Sequence, residues 1–322
     1  MTGTDKRIKE KNKALQAVNN LGVWLVVLGM FILLSIVSDK FLQKDNLINL
    51  IRQIAVTGIT ALGATFIILS GEIDLSSGSM IALMGCVSAA LMMKAGLSVA
   101  GSFVLTLLIG ALIGILMGLT ITKLCVPSFI TTLGMQYVLQ GAVLLLTNSK
   151  PITNLPEGFL ALGRGYIGSI PIPAIIMLFV FIVGAFVLKY TKFGRNVLAV
   201  GENRNGARLS GISVNRVKIT VFGVGGLLSA LGGIVLAARL SSGQPTSGSD
   251  VTLQALAAVY VGGSTNGSIM TTLAGALIIG MITNGLNLLE VNAYWQKVVL
   301  GIIIIVAVAF DILRSLKAEG KK

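Results

Sequence analysis

An all-α, polytopic integral membrane bundle of about ten spans, some short or broken, is what this sequence predicts, and three observations carry the expectation. Hydrophobic residues make up 54% of the 322 positions and charged ones 11%, against roughly 25% charged in an average soluble domain. Mean hydropathy is +0.90, and apolar stretches of span length recur from end to end. The basic residues gather unevenly in the segments between those stretches. This composition excludes a soluble, disordered or collagen-like chain. It also excludes a nucleic-acid-binding domain, because the formal charge of +13 is scattered between apolar runs and forms no basic face.

The chain opens on a basic segment, residues 1–20, with Lys6, Arg7, Lys9, Lys11 and Lys13 ahead of the apolar run Leu21–Val37. That run lacks a small-x-small cleavage site and is followed by polar Ser38-Asp39-Lys40, so it reads as a retained first span rather than a signal peptide. Ile54–Ser70 comes next and is stopped by Gly71; Gly78–Met93 follows and is short for about 30 Å of hydrocarbon. Leu97–Thr122 carries Gly110, Gly114 and Gly118 at small-xxx-small spacing, which fits close packing within the chain better than a subunit interface. After Val126–Thr147, the polar excursion Asn148–Ile170 contains Pro151, Pro156 and Gly158. Pro171–Leu188 leads into a basic loop, residues 190–216, whose second part reads as a short helix with Arg208 in its last turn and Gly211 as its stop.

Val217–Ala238 is a full span, whereas Val251–Gly263 is short and reads as tilted, re-entrant or broken. Met270–Leu289 and Tyr294–Leu313 complete the set; Tyr294 and Trp295 suit an interfacial aromatic belt, and Asp311 has Arg314 within pairing distance at i+3. Residues 21–316 thus form a single transmembrane domain, with 317–322 as a tail. With the N-terminus in the cytoplasm, the N-terminal lysines, Lys123, the Lys189–Lys218 stretch and the tail's Arg314, Lys317, Lys321 and Lys322 all fall inside. They are the majority of the 25 Lys and Arg, and the asymmetry places both termini in the cytoplasm.

Acidic residues at membrane depth are the first candidates for function. In Ser70-Gly71-Glu72-Ile73-Asp74-Leu75-Ser76-Ser77-Gly78-Ser79, Gly71 releases one helix, and Asp74 or Ser76 is placed to cap the next. The amide groups at such a helix start attract polar solutes, as in the broken helices of transporters. Glu72 and Asp74, at i and i+2, cannot share a helix face. Asn284 and Asn287, three apart, could offer amides to one cavity or bond between helices. Histidine is absent, and Cys86 and Cys125 read as small apolar residues, so no metal site, cofactor or disulfide is expected. No GxxxxGK[ST] occurs, so an ATP-driven process needs another subunit.

These segments resemble one family. Gly71-Glu72-Ile73-Asp74-Leu75-Ser76-Ser77-Gly78-Ser79 is similar to the signature of bacterial monosaccharide ABC-transporter permeases of the ribose type. Thr191-Lys192-Phe193-Gly194-Arg195 and Ala207-Arg208-Leu209-Ser210-Gly211-Ile212 resemble its cytoplasmic loop. Arg239-Leu240-Ser241-Ser242-Gly243-Gln244-Pro245-Thr246, Asn284-Gly285-Leu286-Asn287-Leu288-Leu289 and Tyr294-Trp295-Gln296 resemble later segments, in order.

The resemblance implies a non-enzymatic transport subunit of the bacterial inner membrane that dimerises with a second copy or a paralogue. Its expected partners are a cytoplasmic ATPase with two fused nucleotide-binding modules, an extracytoplasmic sugar-binding protein and membrane lipid. Gly194, Arg195, Asn205, Gly206, Ala207, Arg208, Leu209 and Gly211 would couple to the ATPase. Glu72, Asp74, Ser76, Ser79, Gln254, Asn284 and Asn287 would line the translocation pathway. Ribose or another pentose is the expected cargo, with a nucleoside or autoinducer-2 as same-superfamily alternatives. Outside the superfamily, an ion-coupled carrier using Glu72 or Asp74 is the rival, and an intramembrane hydrolase on Ser77 or Ser79 a remote third. The sequence departs from the family at Asn205-Gly206-Ala207, where Glu-Ala-Ala is usual and where glycine costs about 1 kcal/mol of helix relative to alanine. It departs again at Thr252 and Gln254, where acidic residues are usual, and in the shortened loop Ser264-Thr265-Asn266-Gly267-Ser268.

Overall fold

The structure, a computed structural model, describes residues 21–263 and 268–318. The N-terminal lysines, Ser264–Gly267 of the shortened loop, the side chains of the expected Asp311–Arg314 pair and the tail lysines lie outside the described residues.

The elements are α1 (Leu21–Val37), α2 (Lys44–Leu69), α3 (Ser77–Met93), α4 (Val99–Lys123), α5 (Ser128–Thr147) and α6 (Glu157–Arg164). A two-residue hairpin follows, β1 (Tyr166–Ile167) and β2 (Ile170–Pro171), antiparallel with Tyr166 opposite Pro171. Then come α7 (Ile172–Tyr190), α8 (Lys192–Glu202), α9 (Arg204–Leu209), α10 (Val214–Leu240), α11 (Val251–Val261), α12 (Ile269–Leu288) and α13 (Ala293–Ala318). By length and composition 7 of the described helices can cross a bilayer; α1, α3 and α11 are apolar but shorter. A polytopic all-helical membrane bundle is therefore what the chain forms.

The bundle has a buried centre and an apolar exterior. The apolar windows of α2, α10 and α12 are 78% buried, whereas that of α13 is 6% buried at a hydropathy of 2.0. Leu145, Phe179, Ile305 and Phe310 are more than half exposed on the outer helices, an apolar surface far beyond what a soluble monomer shows. At the centre, α10 packs on α2, α3 and α4 through glycines. On α4, Gly110 meets Gly226 and Ala230, Gly114 meets the backbone of Phe222 and Gly223, and Gly118 meets Ile219. The glycine stripe on α4 thus serves packing within the chain.

α2 starts at Lys44, not at the expected Ile54, because its polar first turns are satisfied by partners. The Asn46 amide donates to Phe41 O at 2.8 Å, and Arg52 Nη2 donates to Arg164 O. Inside the polar excursion, α6 forms after Pro156 and buries Phe159 completely in a cluster with Met92, Ile234 and Ala238.

Side-chain pairings fix the helix directions. Thr60 of α2 faces Gly232 of α10 and Ile67 faces Gly225, so these two run antiparallel. Asn46 bonds Asn284 while Thr65 bonds Thr272, which makes α12 antiparallel to α2. Gly275 and Gly262 place Ala258 and Thr271 in register, so α11 runs against α12. α3 runs with α10, Ile81 and Gly85 following Gly233 and Ala237. Consequently α3 and α11 point in opposite directions.

Candidate functional site

α2 ends because Gly71 adopts φ +77°, and the chain stays non-helical until Ser77. Glu72, in this connection, is buried yet doubly paired, to Arg204 Nη2 at 2.8 Å and to Lys218 Nζ at 2.5 Å. Arg204 also donates to Gly71 O at 2.7 Å. Gly201 of α8 lies so close to Leu69 O that no Cβ fits between them. The break between α2 and α3 is therefore seated directly on the α8–α9 segment and on the second turn of α10. A cavity of about 540 Å³ opens beside it, lined among others by Glu72, Cys125, Arg204, Asn215 and Lys218.

Asp74 is turned inward. Its Oδ1 accepts from the Ser76 amide at 2.7 Å and from Ser76 Oγ at 2.6 Å. Neither residue satisfies the first turn of α3, as the sequence led one to expect. Asp74 serves Ser76, ahead of the helix, and the Gly78 amide donates instead to Thr252 Oγ1 of α11 at 2.7 Å. Ser77 Oγ lies 3.3 Å from the same Thr252 oxygen. The starts of two oppositely directed helices thus meet at one threonine. Gln254, one residue beyond it but one, accepts from Thr57 Oγ1 at 3.2 Å, half way along α2. Two positive helix ends converge at that depth, and Ser79 is buried beside them.

Asn284 and Asn287 engage different neighbours. Asn284 is buried and exchanges amide hydrogen bonds with Asn46, at 2.8 and 3.2 Å. Asn287 is exposed and accepts from Gln296 Nε2 of α13 at 2.8 Å.

The basic loop folds into α8 and α9. Thr191 caps α8 by accepting from the Gly194 amide at 3.1 Å, Gly194 packs on the Leu188 backbone, and Arg195 reaches Tyr190 O at 3.5 Å. Asn203 caps α9 through the Gly206 amide at 2.8 Å. Gly211, at φ +80°, closes it with the Ile212 amide on Ala207 O at 3.0 Å. Ala207 is buried, while Asn205, Arg208 and Leu209 face outward, Leu209 at 90% exposure. Arg204, Lys218 and Thr252 are the residues that sequence reasoning did not assign to the site. Their partners lie more than a hundred residues away in the chain, and no local pattern marks them.

The family described as "Branched-chain amino acid transport system / permease component" matches residues 46–308. The chain is 43% identical over 309 residues to "Ribose import permease protein RbsC" of Bacillus subtilis (strain 168), covering 92% of this chain and 94% of that protein. It is 40% identical over 300 residues to the protein of the same description from Escherichia coli (strain K12), covering 89% and 92%. With "Xylose transport system permease protein XylH" of Escherichia coli (strain K12) it shares 30% over 336 residues, covering 84% and 86%. No solved structure matches the chain.

Proposed function

We propose, given that the chain belongs to the branched-chain amino acid transport system / permease component family, that it is the membrane-spanning subunit of an ATP-driven importer for ribose or another pentose. The observation that carries this reading is the 43% identity to a ribose import permease across 92% of the chain. Hydrolysis belongs to a partner ATPase with two nucleotide-binding modules, delivery to an extracytoplasmic sugar-binding protein, and completion of the pathway to a second copy or a paralogue. Both termini and residues 190–216 lie in the cytoplasm of a bacterial inner membrane.

α9 is the seat of the ATPase. Its outward Arg208 and Leu209 support this, because α9 presents a cation and an apolar side chain, Leu209 at 90% exposure, away from the bundle, and Arg is enriched where partners bind. Its capped but glycine-containing turn takes the rest of its order from the partner. Motion of the ATPase reaches the membrane through Arg204, which ties the start of α9 to Glu72. That double pairing also argues against Glu72 as a proton or sodium carrier, since a carrier carboxylate must exchange its ligand. The pathway runs past the meeting point of α3 and α11, with Ser79 and Gln254 beside it.

The test is uptake of labelled ribose by vesicles containing the chain and its co-expressed partners, with and without internal ATP. Uptake that requires ATP and persists after collapse of the proton gradient is expected. Uptake that follows an ion gradient without ATP would refute the importer reading. For α9, Arg208→Glu is expected to leave membrane insertion intact and reduce ATPase recovery in pull-downs by about tenfold, the effect of reversing a charge in an interface. Undiminished recovery would remove α9 from the interface.

A further inference from the structure

The segment between α10 and α11, residues 241–250, is irregular chain packed lengthwise on the apolar helix α3. It runs along α3 from Ala89 to Gly78, about 16 Å at the helical rise. A Cβ on Gly243 would stand 3.0 Å from Cys86 Cα, and one on Gly248 2.7 Å from Gly78 O. Gly243 pairs with Ile152 through two backbone bonds of 2.9 Å, and Pro245 O accepts from Gln140 Nε2 of α5 at 3.1 Å. The far side of the segment has no such cover. Thr246 and Ser249 are exposed, and their amides donate to nothing among the described residues. Unpaired backbone amides facing hydrocarbon cost several kcal/mol each, so irregular backbone among membrane helices is tolerated where protein buries it or where it lines a watery cavity, and the exposure of Thr246 and Ser249 points to the second.

The neighbouring face of α5 has the same character. Gln136 precedes Gln140 by one turn, on the same side of a helix otherwise apolar enough to cross the membrane. The Gln136 amide is half-buried in the middle of α5 and forms no hydrogen bond among the described residues. Gln244 is half-buried too, its Nε2 on Ser242 Oγ at 3.1 Å and its Oε1 without a protein donor among the described residues. Two charges flank this surface, Asp250 and Lys297, and they pair with each other at 3.5 Å.

We propose that Gln136 and Gln140 of α5, with Gln244, Thr246 and Ser249 of the 241–250 segment, form the sugar-contacting wall of the translocation pathway. Carboxamides and hydroxyls offer donors and acceptors together without a charge, which is what a neutral polyhydroxyl solute requires. The identity of the solute rests on the importer reading above; the wall itself rests on the unpaired groups.

Both are tested in the assembled transporter, with exposed Cys125 replaced by serine and Cys86 left buried. Gln136→Cys, Thr246→Cys and, as the lipid-side control two residues round the same helix, Val138→Cys are exposed to a charged methanethiosulfonate reagent. The first two are expected to react at least about tenfold faster than the control, because such reagents modify thiolates in water. Gln136→Leu is expected to raise the KM for ribose about fivefold, the worth of one lost hydrogen bond, with ATPase recovery and thermal stability unchanged. A group with only a structural role would leave KM alone. Cysteines at 136 and 246 no more reactive than at 138, in a transporter that takes up ribose under ATP, would overturn the wall and leave the importer standing. Reactive cysteines in an assembly that takes up no sugar under ATP would support the wall and sink the importer.

Discussion

Glu72→Gln is expected to destabilise the assembled bundle by about 3 kcal/mol and to abolish most uptake. The carboxylate is buried, and its removal leaves Lys218, 13% exposed, without a counter-charge while Arg204 loses its ion pair and keeps only Gly71 O. Breaking a buried pair from one side costs roughly 3–5 kcal/mol. The lower end applies because the Arg204 side chain is 49% exposed and already partly solvated. The double variant Glu72→Gln with Lys218→Gln should recover most of the stability, since it removes the stranded charge, but not the uptake, since Arg204 is then held to the break by its bond to Gly71 O alone. Residual folded protein after heating in detergent, read by gel filtration, measures the first effect, and vesicle uptake the second. A single variant as stable as the parent would mean the two ion pairs carry no weight.

The second large effect is expected at Gly114. A Cβ there would overlap Phe222 O and stand 3.1 Å from Gly223 Cα, both backbone atoms of α10 that have nowhere to move. Gly114→Ile must push α4 away from the helix on which α2 and α3 also pack. Overpacking a core costs roughly 1–3 kcal/mol even when only side chains yield, so a loss above about 3 kcal/mol is expected where backbones must part. Gly141→Leu on α5 is the matched control, because nothing lies within 4 Å of its position. Equal melting of the two variants would contradict the close α4–α10 contact.

These two residues mark where the sequence could be read and where it could not. The α4 stripe was legible because glycines four apart fall on one helix face, and what close approach requires is local. The break at Gly71 was legible for the same reason. Each expected apolar stretch contains a helix, since hydropathy is also local; whether about ten of them cross the membrane is not decided by length, because α1, α3 and α11 fall below a full span. α6 escaped notice because its eight residues follow prolines that read as loop, though Phe159 three past Pro156 was a signal of a buried first turn. The site was legible only in part. Glu72 and Asp74 stood out as carboxylates on apolar ground, yet what they touch depends on chain far downstream. Asn284 left two readings open, and only the position of Asn46 across the bundle shows which bond it makes. The 241–250 segment, polar and glycine-containing, looks like any extramembrane loop until its contacts with α3 place it among the apolar helices.

The pairing of Glu72 with Arg204 has a consequence for biogenesis. The two residues are 132 positions apart, and a ribosome adding about 5–20 residues per second needs roughly 7–26 s to travel that distance. Throughout that interval α2 has emerged, and the carboxylate that ends it has neither of its cations. An isolated charge is poorly tolerated in hydrocarbon, so the nascent connection stays at the headgroup surface until α8 to α10 arrive. The junction between α2 and α3 thus closes only once residue 218 has been made, ahead of the packing of α11 and α12 on α2, and chains arrested before residue 204 carry it open.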